Sequence, residues 1–222
     1  MDILPRQNIM VQLPNALPLT TTKNLLLRPL ADSDAEDLFA IRSRPEVAKT
    51  NHPKTPHQSV EETREWMATK IFGEGSAEHL IGRHFTYVLI ENTTDRDYHQ
   101  DAQQPPLCDA RVIGYVGINE VYPSPEIGYS IHPDYWGKGY ATEALKGLLE
   151  LWWSLPRQSQ GGDVAGSDET DSVFAICEKT NLGSVRVLRK CGFGVLQEMT
   201  FEHDGGLDEL FIWELKRPLQ TK

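Results

Sequence analysis

The sequence predicts an α+β fold, a mixed and mostly antiparallel twisted sheet flanked by helices. Three short apolar runs, at 85–90, 112–118 and 126–131, follow one another with no helical pattern between them. The last of these runs leads through a glycine-rich turn into a helix with apolar residues at helical spacing. Two more runs, at 194–202 and 210–215, form a closing hairpin that completes such a sheet.

Composition and charge narrow the class of protein. The 222 residues fit one domain, and 39% of them are hydrophobic, enough for a sizeable core. No apolar run reaches the roughly 18 residues of a membrane span, and the N-terminus lacks a secretory pattern. A net charge of −10 argues against a nucleic-acid partner and is compatible with a cationic substrate, although solubility explains it more simply. Three cysteines without metal-ligand spacing predict no metal site and fit the cytoplasm, or the nucleus.

The chain is predicted to be one domain with an N-terminal arm and two surface insertions. Residues 1–22 are expected to form an irregular N-terminal arm, and residues 23–217 the domain itself. Polar stretches near 92–109 and 157–172 are expected to be surface insertions, the first mobile and the second disordered. The second is acidic and could attract a basic protein, but a solvated loop is the simpler interpretation.

The first elements are a strand at 25–30 and two helices. Ser33 and Glu36 stand at capping-box spacing for the first helix, and Ser59 and Glu62 do so for the second. Pro45 ends the first helix.

The loop and helix that follow have plain interpretations. His52 and His57 lie in a proline-rich loop, where no carboxylate or cysteine completes a metal site, so loop residues are more typical. Trp66 and Met67 are most simply core residues of the second helix.

The strand that begins at Glu126 and the turn after it organise the chain. Gly137 and Gly139 stand two apart, directly before a helix that starts near Tyr140. Glycines let a ligand approach the backbone, and the first amides of a helix have no internal partner. Such a turn suits phosphate, although a tight strand-to-helix connection is equally compatible with the spacing. The patterns of Walker A and of dinucleotide-binding loops are absent.

Two stretches resemble the GNAT acetyltransferases. In that family a strand is followed by Arg/Gln-x-x-Gly-x-Gly/Ala, a frame that falls here on Trp136, Gly139 and Ala141. The form YWGKGYATEA is similar to the RimJ/RimL-type branch. The stretch from Asn181 to Phe193 resembles the family's Asn-x-x-Ser/Ala helix with its Lys-x-Gly-Phe close. The resemblance extends over about residues 23 to 217.

The resemblance implies a GNAT fold whose sheet splays between the strands at 126–131 and 173–177, with acetyl-CoA in the gap. In the family the turn cradles the acetyl-CoA pyrophosphate. Trp136 departs from the Arg or Gln of the general pattern, and Lys138 could supply a charge. The implied cofactor-binding residues are Ile131, Trp136, Gly137, Lys138, Gly139, Tyr140, Ala141, Thr142 and Asn181, with Ile131 near the thioester oxygen and Asn181 on the pantetheine arm.

The implied reaction is acetyl transfer to a primary amine of a small molecule or a protein N-terminus. Glu126 is nominated as the base, with a pKa raised by burial, although a plain strand-edge carboxylate is equally compatible. Many family members use a tyrosine as the acid for the departing thiolate, but Leu188 stands at that position. Ser184 is the matching hydroxyl, and it could also be only a capping residue.

Two alternatives stay open at this point. Trp136 and Leu188 keep open a catalytically idle acyl-CoA-binding or interaction protein with a GNAT fold. The acceptor could be a protein N-terminus, a polyamine, an amino acid or an aminoglycoside. The first two helices and their loop would wall its site. The sequence is compatible with either a monomer or a homodimer.

Overall fold

The computed structural model describes residues 3–51, 53–72, 84–92, 111–159, 171–203 and 206–218. The strands are β1 (Ile9–Val11), β2 (Thr20–Thr21), β3 (Leu25–Pro29), β4 (Phe85–Glu91), β5 (Val112–Glu120), β6 (Glu126–Ile131), β7 (Arg157–Ser159), β8 (Ser172–Glu178), β9 (Gly194–His203) and β10 (Gly206–Lys216). The helices are α1 (Ala35–Arg42), α2 (Pro45–Ala48), α3 (Val60–Ala68), α4 (Tyr140–Ser154) and α5 (Leu182–Lys190). His52, nearly all of the predicted loop at 92–109 and the centre of the predicted insertion, 160–170, lie outside these residues.

The predicted fold class is confirmed by the order and direction of the strands. Eight strands form one sheet in the order β2-β3-β4-β5-β6-β8-β10-β9. Neighbouring strands are antiparallel except β6 and β8, which are parallel and pair at a single register position, Glu126 with Phe174. The Phe174 N–H donates to the Pro125 carbonyl at 2.7 Å beside that pair. Beyond this point the two strands diverge, so the predicted splay is present.

The sheet is buried on both faces. Successive strand residues point to opposite faces, and in β4 the side chains of Tyr87 and Val88 belong to different core clusters. The helix α4 covers one face with fully buried residues such as Trp152, whereas α1 and α3 cover the other with Leu38 and Met67. The gap between β6 and β8 therefore lies between two well-packed layers.

The capping prediction for the second helix is largely confirmed. The Ser59 hydroxyl accepts a hydrogen bond from the Glu62 N–H at 3.1 Å. The Glu62 carboxylate accepts from the Gln58 N–H at 2.6 Å, one residue before the position that a capping box requires.

The capping prediction for the first helix is wrong. A 3-10 turn, Asp32–Asp34, precedes α1. The N-cap residue of α1 is Asp34 rather than Ser33, and the Asp34 carboxylate accepts from the Ala31 N–H at 2.9 Å. Arg28 pairs with Asp34 at 2.5 Å and makes the buried carboxylate favourable there.

The N-terminal segment is less irregular than predicted. β1 pairs antiparallel with β7, which belongs to the predicted insertion, and Val11 and Leu17 are buried. Asp171, at the end of that insertion, accepts from Arg157 Nε at 2.8 Å and pairs with Arg217 at 3.4 Å. Periodicity within a short run cannot reveal such pairings, because the partners are far apart in the chain.

Glu143, in the first turn of α4, fastens the turn between β2 and β3 to this helix. Its carboxylate accepts from Thr22 Oγ1 and from the Asn24 N–H, both at 2.6 Å, and from Asn24 Nδ2 at 2.8 Å. Burial alone would raise the pKa of Glu143, but these hydrogen bonds outweigh it and lower the pKa. The contact holds the N-terminal end of α4 against the rest of the sheet.

We expect Glu143→Gln to lower the free energy of unfolding by roughly 1 kcal/mol at neutral pH, because the amide loses the charge-assisted bonds. A lowered folded-state pKa stabilises the protein above the unfolded value of about 4.3 and loses this effect as the pH falls further. Thermal unfolding from pH 3 to pH 8 should therefore show a gap between wild type and variant that closes below about pH 4. The exposed Glu150→Gln on the same helix is the control. Equal melting curves for the two variants would contradict this role.

Candidate active site

The turn before α4 has the backbone geometry of an anion site. Gly137 and Gly139 adopt left-handed φ values of +78° and +87°, which favour glycine. The first helical hydrogen bond runs from the Glu143 N–H to the Gly139 carbonyl at 3.1 Å. The amides at 140–142 precede it and have no partner within the helix. A Cβ at either glycine would meet no atom within 4 Å, so space beside these amides is open.

Trp136 braces this turn against the end of β6. Its indole Nε1 donates to the Ile131 carbonyl at 2.7 Å, while the side chain stays 50% exposed. The family's Arg or Gln is therefore replaced by a residue that positions the strand end. Lys138 lies 4.6 Å from the Tyr135 ring and 3.9 Å from Glu91, which also accepts from the Tyr140 hydroxyl. Its charge is partly offset by Glu91.

A cavity of ≈ 440 Å³ lies where β6 and β8 diverge. It brings together three of the predicted site residues, Glu126, Asn181 and Ser184, although they are distant in sequence. Other walls come from α1, α3, β5 and the loop at 50–54; they include Arg42, Asn51, Lys54, Trp66, Lys70, Tyr115 and Asn119. The predicted wall of helices and loop is thus present around this cavity.

The other predicted residues lie beside this cavity rather than in its lining. Ile131 and the turn 136–142 follow the cavity-lining part of β6 along the chain. Cys191, at the end of α5, has its Sγ 3.7 Å from the Thr142 carbonyl. The start of α4 therefore borders α5, whose first turn carries Ser184. The two groups of predicted residues flank one gap in the sheet.

Glu126 has the electrostatic surroundings of a tuned carboxylate. Burial raises its pKa, Glu120 raises it further by repulsion, and Lys70 opposes both. Glu120 is close because it pairs with Glu126 across β5 and β6. A carboxylate with a raised pKa is a stronger base once ionised, as the proposed role requires.

Asn181 and Ser184 form the start of α5. The Asn181 Oδ1 accepts from the Ser184 N–H at 3.1 Å and caps the helix. The hydroxyl of Ser184 therefore is not needed for this cap. It lies instead beside Tyr129 on β6. In this cap Ser184 takes part through its backbone N–H. Its hydroxyl does not cap the helix and remains a candidate for catalysis.

Tyr129 is a candidate site residue that the sequence did not reveal. Burial raises its pKa, and the interaction with Ser184 offsets only part of that rise. Its buried hydroxyl has no well-formed hydrogen bond among the described residues, so the contact with Ser184 is loose. Leu188, 1% exposed, lines the same cavity. Tyr129 alternates with Ile127 and Ile131 and so resembles a core residue, yet a tyrosine hydroxyl in such a strand needs a polar partner.

A buried cation, Arg42, forms the opposite wall. Its Nε donates to His57 Nε2 and its Nη1 to the Tyr115 hydroxyl, both at 2.9 Å. His57, predicted to be a plain loop residue, is buried, and its Nδ1 contacts Thr63 Oγ1 at 2.8 Å. Nothing in the local pattern marked Arg42, because the end of a helix is an ordinary place for arginine.

Lys54 joins the two sides of the cavity. Its ammonium pairs with Glu178 at 2.6 Å and with Asp208 at 2.8 Å. These carboxylates belong to β8 and β10, whereas Lys54 lies on the loop between α2 and α3. The loop is therefore tied to β8 and β10 by these two ion pairs.

The described residues include no candidate metal centre and no membrane-spanning helix. Within these ranges, no three histidine, cysteine, aspartate or glutamate side chains are grouped so that they could hold a metal ion. None of the helices in this part of the chain is long and apolar enough to cross a membrane.

Comparisons with known proteins agree with the predicted family. The family model described as an acetyltransferase (GNAT) domain matches residues 24–194. The uncharacterized N-acetyltransferase YoaA of Bacillus subtilis (strain 168) is 25% identical over 189 residues, which are 84% of this chain and 90% of that protein.

Two solved structures share the fold. RimL, a ribosomal L7/L12 alpha-N-protein acetyltransferase in complex with coenzyme A, superposes with a TM-score of 0.64 at 15% identity, over 90% of this chain and 98% of that one. The spermidine N-acetyltransferase of Vibrio cholerae, in complex with CoA and spermine, superposes with a TM-score of 0.59 at 16% identity, over 88% and 97%. Together with the family match over more than half of the sequence, the splayed sheet and its glycine turn lead to one assignment: the chain belongs to the GNAT acetyltransferases.

Proposed function

We propose that this protein transfers an acetyl group from acetyl-CoA to a primary amine of a small molecule or a protein N-terminus. The observation that carries the proposal is the cavity at the splay of the sheet. Glu126 and Ser184, a carboxylate and a hydroxyl, both line this cleft, which borders the amide turn of α4. Holding an amine and a thioester in one cleft removes much of the entropic barrier to their reaction.

The turn is suited to the pyrophosphate of acetyl-CoA. The amides at 140–142 lack helical partners, the helix dipole is positive there, and the space beside Gly139 is open. We assign Trp136 to Thr142 to this part of the cosubstrate, Asn181 to the pantetheine arm and the amide of Ile131 to the thioester oxygen. The Asn181 oxygen is engaged in the helix cap, so its amide nitrogen is the group that remains for pantetheine.

We assign the two proton carriers to residues that line the cavity. Acetyl-CoA supplies the acetyl group as an activated thioester. Glu126, directly or through a water molecule, takes a proton from the acceptor ammonium, and its raised pKa suits this task. The neutral amine attacks the thioester carbon, and the C–S bond breaks as the C–N bond forms. Ser184, with the Tyr129 hydroxyl beside it, gives a proton to the departing sulfur and regains one from the new amide nitrogen, directly or through water. Two of the structural neighbours solved with CoA are named as acetyltransferases of a ribosomal protein and of spermidine. Both names imply an amine acceptor, which supports an amine as the acceptor here.

The test is an acetyl-transfer screen across amino acids, amino-acid amides, short peptides, polyamines and aminoglycosides, read as CoA release and as acetylated product. At least one of these classes should be acetylated, and Gly139→Asp should abolish the signal. Binding of acetyl-CoA without transfer to any amine would instead favour the catalytically idle alternative.

Glu126→Gln is the arm of this experiment that examines the base. It should lower the rate most at neutral pH and less at high pH, where amines with a pKa near 10 begin to lose their proton unaided. Wild-type activity should rise with pH as Glu126 ionises. A variant with the wild-type pH profile would show that the enzyme selects amines that are already neutral.

A further inference from the structure

One end of the cavity holds two cationic side chains around a single ring. The Arg42 guanidinium carbon lies 4.0 Å from the centre of the Trp66 ring, and Lys70 Nζ lies 5.3 Å from it. Both side chains line the cavity together with Glu126. Two cations therefore converge where the acceptor has to bind.

Arg42 is buried and its hydrogen-bond partners are neutral. It is 6% exposed and donates to His57 and to the Tyr115 hydroxyl. Because His57 Nε2 accepts from Arg42 Nε, that nitrogen carries no proton and the imidazole is neutral. Burial and Arg42 lower the pKa of His57, whereas Glu62 raises it. Buried guanidinium groups are usually paired with an anion. In the described part of the chain no carboxylate forms an ion pair with Arg42.

Lys70 is held in a similar way. Its Nζ donates to Asn119 Oδ1 at 3.2 Å. Gly128 leaves room for that amide, because a Cβ there would lie 2.5 Å from Asn119 Nδ2. Burial lowers the pKa of Lys70, Arg42 lowers it further, and Glu126 opposes both. An anion bound between the two cations would relieve their repulsion in a poorly solvated place.

We propose that the acceptor amine carries an oxyanion group, a carboxylate or a phosphoryl group, that binds between Arg42 and Lys70 beside Trp66. This inference rests on the proposed function and names the substrate class. Hydrogen bonds from guanidinium and ammonium groups to an oxyanion are strong and directional. Glu126 lines the same cavity, so the amine and the oxyanion belong to one compact group, as in an amino acid. A polyamine would place a second ammonium group beside these two cations, which would repel it.

The experiment compares acceptors in matched pairs. Each amino acid is paired with its amide, and phosphoethanolamine is paired with ethanolamine. The acid preference is the kcat/KM of the acidic member divided by that of its neutral partner. It is measured for wild type, Arg42→Gln, Lys70→Gln and Arg64→Gln. Arg64 is an exposed residue of α3 that pairs with Asp32 and does not line the cavity, so its variant removes an equal charge outside the proposed site. The pair with the larger preference identifies carboxylate or phosphoryl as the recognised group.

Wild type should prefer the acidic member of at least one pair by about 10- to 100-fold, the usual range for hydrogen bonds to a charged group. The preference should fall toward 1 in Arg42→Gln and in Lys70→Gln and persist in Arg64→Gln. A role of Arg42 in loop packing alone would lower the melting temperature and leave the preference unchanged, which would overturn the inference. If Arg42→Gln fails to fold, Lys70→Gln decides. If amines are acetylated without an acid preference, this inference is wrong and the proposed function stands. If no amine is acetylated, the proposed function itself is wrong.

Discussion

Gly139→Asp should abolish the rise in melting temperature that acetyl-CoA produces in the wild-type protein. At a ligand concentration of 100 times Kd, binding adds about 2.7 kcal/mol to the stability of the folded state. For a chain of this size that corresponds to roughly 5–10 °C. The aspartate places bulk and a negative charge beside amides that would bind phosphate, where the native backbone leaves open space. The loss of the ligand-induced shift should therefore be complete.

The fold should survive this substitution. Aspartate and asparagine tolerate the left-handed region better than other side chains, and a Cβ at Gly139 meets no neighbour. Gly139→Asn is the matched control, because it has the same shape without the charge. A part of the shift retained in the asparagine variant would assign the loss to charge repulsion. An unchanged acetyl-CoA shift in folded Gly139→Asp would remove the turn from the cosubstrate site.

The main elements of the fold could be predicted because their signals are local. The alternation in β6, the glycines of the turn and the helical spacing in α4 are each visible within one short window. The pairing of β1 with β7 was not predicted, since it joins residues far apart in the chain, such as Val11 and Arg157. The start of α1 was misjudged because Arg28, outside the helix, decides which carboxylate is favourable there.

The candidate site also contains residues that the sequence predicted and residues that it did not. Glu126 and Ser184 were nominated because each stands in a motif that the family resemblance aligns. Tyr129 and Arg42 were missed, because a strand or helix pattern says which face a residue occupies and nothing about the group across the cavity. Only the three-dimensional structure places the Tyr129 hydroxyl beside Ser184 and the Arg42 guanidinium on Trp66.

Removing the hydroxyls of Ser184 and Tyr129 one at a time tests which group protonates the departing thiolate. Ser184→Ala should lower kcat by roughly 100- to 1,000-fold, within the usual range for general acid–base groups, while binding of acetyl-CoA changes little. The substitution removes only the hydroxyl. The backbone N–H that Asn181 caps is retained, so α5 keeps its start. Rates are measured under conditions where the chemical step limits turnover, and binding is followed by the acetyl-CoA thermal shift.

Tyr129→Phe is the companion variant, because it removes the neighbouring hydroxyl and keeps the ring packed. If Ser184 is the acid, Tyr129→Phe should cost less than Ser184→Ala, since Tyr129 then only orients or polarises the serine. A larger loss in Tyr129→Phe would transfer the role to the tyrosine, which burial already keeps protonated by raising its pKa. Full kcat in both variants would mean that water or another residue protonates the thiolate. The family assignment would be untouched by that result, because it depends on the match at residues 24–194 and on the splayed sheet.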